Sequence, residues 1–290
     1  MKHRILWIDN LKALLIFLVV LSHCLQINPL CLESNVYIYI ISFFMPMFMF
    51  MSGFCCSESS VNVKKIKTRF VQLIIPFLSW TIISSFYRTD ATFLSMILNP
   101  TKSLWFLWVL FWINVIHVVV HLVSEKVKIK SGYLSLVAVV ALYGIYVLTN
   151  KTHLFSYDLI TFHFVFYSAG FYARKHEFFR WIKPHIALGC LLLWAVLGSG
   201  GQSGNIPVLS VTVTNILVRK GILYIVPFTA CLGMIPLFMD MINRKVPYFT
   251  NMGGVHWPCM QFISTLFTCI GLSFRRNMHI STIGMSYCFR

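Results

Sequence analysis

The strongest constraint on the fold is a series of apolar runs, most of them about as long as a lipid bilayer is thick. A helix of about 20 apolar residues crosses the hydrocarbon core of a bilayer, and in lipid such a helix satisfies its own backbone hydrogen bonds. Roughly nine runs reach or approach this length. They cover residues 6–27, 36–56, 70–87, 104–123, 132–149, 157–173, 184–198, 217–240 and 247–272. The sequence therefore predicts an all-α, polytopic integral membrane protein, with residues 1–290 forming a single transmembrane domain.

The composition supports this prediction. Hydrophobic residues make up 58% of the chain and charged residues only 11%, with a net charge of +16. A soluble protein this basic would suggest nucleic acid as a partner. Here the basic residues cluster in short segments between the apolar runs, as is typical of membrane proteins. We therefore expect contact with a lipid bilayer and none with nucleic acid.

The polar segments between the apolar runs alternate in charge. Every second segment is strongly basic, and by the positive-inside rule these segments face the cytoplasm. They are the N-terminus and residues 61–69, 124–130, 174–183 and 243–245. The sequence thus predicts a multi-pass protein of the inner, cytoplasmic membrane with its N-terminus in the cytoplasm.

The nine cysteines show no paired spacing. Several of them, including Cys24, Cys55, Cys190 and Cys231, lie within apolar runs. This pattern indicates small buried side chains rather than a disulfide framework. We expect no metal site.

The first apolar run carries three ionisable residues. The stretch "DNLKALLIFLVVLSHC" contains Asp9, Lys12 and His23. Moving a charge to the bilayer centre costs at least about 2.5 kcal/mol, so such residues usually face a protein interior or a polar cavity. Lys12 and His23 share one helical face about 16 Å apart, and Asp9 is placed to pair with Lys12 at the i, i+3 spacing.

Each of these residues also has a structural interpretation. Lys12 can extend its amine to the membrane interface, and His23 can bond to a backbone carbonyl at the helix end. In the functional interpretation, His23 is a general base and Lys12 binds an anionic or polarised group. Spacing alone leaves both interpretations open.

Five stretches, in order, resemble the acyltransferase family 3 membrane proteins. The stretches are "RILWIDNLKALLIFLVVLSHC", "FFMPMFMFMSGF", "KTRFVQLIIPFLSW", "SLWFLWVLF" and "FVFYSAGFYARK". In the first, Lys12 and His23 match the family's basic residue that is followed, after ten other residues, by His. In the third, Arg69 and Pro76 stand where the family has a basic residue and a proline at the start of its third helix. The resemblance is close over residues 4–176 and looser over 177–250.

The resemblance implies about ten helices and an O-acyltransferase. Its donor is cytoplasmic acyl-CoA, usually acetyl-CoA, and its acceptor is a hydroxyl of an envelope or exported carbohydrate or glycolipid. His23 is then the base, and Lys12, steadied by Asp9, shapes the donor path. The further residues expected along the donor path are Ser52, Arg69, Trp105 and Phe106. The nucleotide would lie near the basic residues of 64–69, although that cluster is equally explained by topology.

A transporter or flippase is the alternative class of protein. In it, Asp9, Lys12 and His23 would form a proton relay. Few acidic residues lie in the other apolar runs, and Asp240 stands at the end of one. A proton-coupled carrier normally needs more of them, so the sequence favours the enzyme.

The tail is the one region where we expect the family resemblance to stop, after about Gly254. Read in another frame, the codons of residues 254–263 are compatible with "GSTLALYAIH" less one residue at its start, a sequence similar to a late helix of the family. A slip within the G-run at Gly253 and Gly254 would produce this change. We therefore expect a frameshifted or truncated C-terminus with impaired activity, and a divergent native tail is the alternative.

Overall fold

The computed structural model describes residues 5–27, 29–32, 34–58, 61–87, 92–149, 154–201, 204–206 and 211–242. These residues are mostly helical. The α-helices among them are α1 (Leu6–Ile27), α2 (Pro29–Leu32), α3 (Asn35–Phe54), α4 (Val63–Arg69), α5 (Ile75–Tyr87), α6 (Phe93–Leu98), α7 (Trp105–Val127), α8 (Ser131–Leu148), α9 (Tyr157–Lys175), α10 (Pro184–Leu197) and α11 (Ile216–Met241). A π-helix (Phe70–Ile74), three 3-10 turns (Pro100–Lys102, Leu154–Ser156 and Phe178–Trp181) and two strands, β1 (Asn205–Ile206) and β2 (Val211–Thr212), complete the described elements.

Six helical segments in the described part of the chain are long and apolar enough to cross a membrane. They are Leu6–Ile27, Asn35–Phe54, Val63–Phe86, Trp105–Val127, Ser131–Leu148 and Ile216–Asp240, and Pro184–Leu197 is a shorter apolar helix. The predicted all-α, polytopic membrane fold is confirmed. The predicted run at 247–272 and the frame change after Gly254 lie outside the described residues.

Helix α9 has the length of a membrane span but is less apolar than the six segments. It contains Asp158, Thr161, His163 and Ser168, and all four are buried. Its neighbours α7 and α8 pack against it. Because protein rather than lipid covers these groups, a helix with so many polar side chains is tolerated at this position.

The helices form two compact units. The discontinuous unit combines residues up to Phe48 with those after Glu177, and the central unit is Met49–Glu177. The sequence had indicated one domain over residues 1–290, and this stays a prediction.

In the discontinuous unit, α11 packs against both α1 and α10. Asn10 Nδ2 donates to the Ile242 carbonyl at 2.8 Å. The Tyr39 hydroxyl donates to the Ala195 carbonyl at 2.6 Å. These side chains connect α1 and α3 to the C-terminal helices of the same unit.

In the segment between α10 and α11, Gly198 to Gly201, Gly204 and Ile206 are buried. Strands β1 and β2 pair antiparallel, with Ile206 opposite Val211. Ile206 packs in a small core with Ile222 and Val226. Gly204 has φ +77°, a left-handed conformation that favours glycine. Glycine at this position therefore lets the chain enter β1 without strain.

In the central unit, a π-helix joins α4 to α5. The Ile75 N–H bonds to the Phe70 carbonyl, and Pro76 has no N–H to continue the α-helical pattern. The Asn62 side chain caps α4 by accepting from the Lys65 N–H. The two residues that identified this stretch in the sequence, Arg69 and Pro76, thus flank a local distortion of the helix.

None of the cysteines for which the structure gives a state forms a disulfide. Cys231 is buried, as expected. Cys55 is exposed, so its predicted burial is wrong. The reason is local, because Cys55 follows the last residue of α3 and lies in a turn.

Candidate active site

Helix α1 is unbroken from Leu6 to Ile27 and holds both Lys12 and His23, each half-buried. At roughly 100° per residue, the two side chains leave the helix within about 20° of each other. The rise of the helix keeps them about 16 Å apart. The structure therefore places them on one face without bringing them into contact, as the spacing predicts.

No ion pair joins Asp9 to Lys12 among the described residues. Asp9 is only 9% exposed and makes other interactions, whereas Lys12 is half-buried. The i, i+3 spacing allows the two side chains to approach each other, so the steadying of Lys12 by Asp9 stays a prediction.

His23 is the first member of a short hydrogen-bonded chain. Its Nδ1 lies 3.3 Å from Gln26 Oε1. Gln26 Nε2 donates to the Tyr37 hydroxyl at 3.0 Å. Tyr37 is 9% exposed and belongs to the first turn of α3. The sequence analysis missed both partners, although the i, i+3 spacing of His23 and Gln26 was a usable signal.

A cavity of about 320 Å³ lies beside α1 in the discontinuous unit. It is lined by Leu14, Leu18, Val36, Tyr39, Ile40, Phe43, Trp194 and Met234. Leu14 and Leu18 lie about 200° and 240° around the helix from Lys12. The cavity is therefore on the other side of α1 from Lys12 and His23, and its apolar lining suits hydrocarbon rather than a sugar or a nucleotide.

The other four predicted site residues belong to the central unit. Trp105 stacks on His163, with ring centroids 5.5 Å apart and an interplanar angle of 21°. Phe106 is buried and meets the Trp105 ring edge-on at 6.2 Å. Both aromatic side chains are thus engaged in packing.

Arg69 and Ser52, like Trp105, are half-buried, whereas Phe106 is buried. Arg69 is half-buried, and its Nη1 donates to Gln72 Oε1 at 3.1 Å. Ser52 is half-buried in α3. Arg69 therefore keeps a cationic group at the end of α4, beside the π-helix.

The central unit also holds buried polar groups that the sequence did not single out. Lys65 Nζ donates to the thiol of Cys56 at 2.7 Å. The Tyr167 hydroxyl donates to Asn114 Oδ1 at 3.1 Å, and Asn114 Nδ2 donates to the Leu110 carbonyl. The bond between Tyr167 and Asn114 joins residues far apart in the sequence, and no local pattern identifies it.

Three histidines lie inside the central unit. His117 packs edge-on against His121 at 4.7 Å, and neither ring nitrogen of His117 has a hydrogen-bond partner among the residues described. His163 Nδ1 likewise has none there. No group of three or more His, Cys, Asp or Glu side chains in the described ranges is arranged to hold a metal ion.

Comparison with known proteins identifies the family. A family model described as an acyltransferase domain, Acyl_transf_3, matches residues 5–270. The match includes both units and continues past Gly254, the point where the resemblance was expected to stop. No curated protein and no solved structure matches the chain. Because the family model covers most of the sequence, the chain belongs to acyltransferase family 3, and it is a membrane acyltransferase.

Proposed function

We propose that this acyltransferase moves an acetyl group from acetyl-CoA to a hydroxyl of an envelope or exported carbohydrate or glycolipid. The observation that carries the proposal is the state of His23. It is half-buried in an apolar helix, and its Nδ1 is engaged by Gln26. No other hydrogen bond to this ring occurs among the described residues. Nε2 is therefore left for a substrate.

The chemistry needs one base. Nε2 of His23 removes the proton of the acceptor hydroxyl as its oxygen attacks the thioester carbonyl. The carbon–sulfur bond then breaks, and coenzyme A leaves as a thiolate that takes up a proton. The products are an O-acetyl ester and free coenzyme A. No metal is required for these steps.

Basic residues are proposed to bind the donor. In the discontinuous unit, Lys12 holds a polar part of acetyl-CoA on the face of α1 that also carries His23. In the central unit, Arg69 and Lys65 are the cations that a nucleotide phosphate would meet first. Ser52, Trp105 and Phe106 are proposed to line the donor path, although both aromatic rings already pack within the unit.

The test of the base is acetyl transfer from radiolabelled acetyl-CoA into membranes that contain the protein. His23→Ala should reduce transfer by at least about 100-fold, the usual effect of losing a general base. His185→Ala is the matched control, because His185 is exposed near the start of α10. Transfer near the wild-type level in His23→Ala would contradict the assignment. Glycans from cells with and without the gene would then identify the acceptor.

The test of Lys12 uses the same assay. Lys12→Ala should raise the KM for acetyl-CoA by about tenfold, as expected for one lost charge-assisted hydrogen bond of about 1.5 kcal/mol. Lys12→Arg should retain part of the affinity, because it keeps the charge but changes the geometry. Phe17→Ala is the control, since Phe17 is 54% exposed on the same helix. An equal effect in the control would show that Lys12 has only a structural role.

A further inference from the structure

The hydrogen-bonded chain beside His23 determines which ring nitrogen can act as a base. An amide side chain has one accepting end, its oxygen, and one donating end, its NH₂ group. Gln26 directs its NH₂ group at the Tyr37 hydroxyl, 3.0 Å away. Its oxygen therefore faces Nδ1 of His23, 3.3 Å away. With the amide in this orientation its oxygen can only accept, so the neutral ring carries its hydrogen on Nδ1.

We infer that Gln26 and Tyr37 are positioning residues for His23, because they hold its ring as the Nδ1–H tautomer. The Nε2 lone pair is then available for a hydroxyl proton. The inference rests on the proposed function, and it extends that function to two residues that have no expected contact with either substrate.

Tyr37 is suited to hold the amide in this orientation. It lies at the start of α3, where the Tyr37 N–H bonds to Ser34 Oγ at 3.3 Å. Ser34 Oγ in turn donates to the Cys31 carbonyl at 2.6 Å. The hydroxyl of Tyr37 is thus carried by a capped helix end rather than by a free loop. Rotation of the Gln26 amide would require Tyr37 to become the donor of their hydrogen bond.

A neutral orienting group suits this location. The more familiar partner of a catalytic histidine is a carboxylate, which also stabilises the imidazolium. A carboxylate near the end of a membrane helix would add a second charge in a region where charges are costly. An amide gives the ring its orientation and tautomer without that cost.

The first experiment needs no activity. The full-length protein in detergent is labelled with ¹⁵N-histidine, and the signals of His23 are assigned by their loss in His23→Gln. At a pH where the ring is neutral, Nδ1 should be protonated and Nε2 should not. Gln26→Met, which keeps the length of the side chain but cannot accept a hydrogen bond, should give a mixture of tautomers. A wild-type ring with the hydrogen on Nε2 would overturn the inference.

The second experiment measures acetyl transfer. Gln26→Met should lower kcat by about 10- to 100-fold, the range found when the group that orients a functional imidazole is removed, and should leave the KM for acetyl-CoA unchanged. Gln26→Glu should restore most of kcat because a carboxylate also accepts from Nδ1. Tyr37→Phe should give an intermediate loss.

Two kinetic results would contradict the positioning role. The first is a wild-type kcat in Gln26→Met. The second is an equal loss of kcat in Gln26→Met and Gln26→Glu, provided that both variants elute as the wild type does in gel filtration. If the wild type transfers no acetyl group to any acceptor, the proposed function fails. The tautomer of His23 still decides the structural part of the inference.

Discussion

At the scale of single residues, two glycines bring helices of the central unit into backbone contact. A Cβ atom at Gly53 would lie 1.9 Å from the Tyr167 carbonyl oxygen. A Cβ atom at Gly170 would lie 2.0 Å from the Phe50 carbonyl oxygen. Both obstacles are backbone atoms, so neither can move aside without moving its helix. Small residues at such crossings allow membrane helices to approach closely.

Substitution of these glycines tests whether the close contact between α3 and α9 stabilises the protein. Gly53→Ala or Gly170→Ala should destabilise the protein by about 1–3 kcal/mol, the usual cost of overpacking. Gly144→Ala should not, because nothing lies within 4 Å of a Cβ atom there. The measurement is the midpoint of thermal unfolding in detergent. The same midpoint in all three variants would show that α3 and α9 can separate freely.

At the scale of elements, α8 is the least buried of the six candidate membrane spans in the described part of the chain. Only 11% of the residues of α8 are buried within the protein. Val140, near its middle, is 65% exposed. A helix that is apolar on nearly every side and scarcely covered by protein has lipid as its natural environment.

A charge in the middle of α8 tests the lipid contact. Val140→Arg should oppose insertion by about 2.5 to 3.5 kcal/mol, because the side chain at this position is 65% exposed. Val140→Leu should insert normally. The readout is the fraction of newly made protein found in the membrane. Equal insertion of the two variants would mean that this face meets protein or water instead.

At the scale of the whole molecule, the alternating charges of the connecting segments predict the orientation in the membrane. The prediction is best tested in a cysteine-free background. A single cysteine at Thr214, exposed just before α11, should react with an impermeant thiol reagent added outside the cell. One at Lys126, exposed in the last turn of α7, should react only after the cells are opened.

Reversed labelling would contradict the predicted orientation. It would place Lys12 outside and His23 on the cytoplasmic side. A base on the cytoplasmic side would then act beside the donor pool, and an acceptor exposed on the outer face would no longer fit.

The sequence by itself determined the helices. Each apolar run must satisfy its backbone hydrogen bonds internally once it is in lipid, whatever its neighbours are. For this reason the predicted run at 6–27 agrees with α1, Leu6–Ile27, and the run at 132–149 differs from α8, Ser131–Leu148, by one residue at each end. The family motifs were also visible, because each lies within a single stretch of sequence.

Only the tertiary structure decided which polar groups meet. It connected His23 through Gln26 to Tyr37. It also joined Tyr167 to Asn114 across two helices. The physical reason is that a helix of a membrane protein can be apolar on all sides, so periodicity does not reveal its rotation. Rotation and crossing are set by packing, and close contacts such as that at Gly53 decide which side chains face each other.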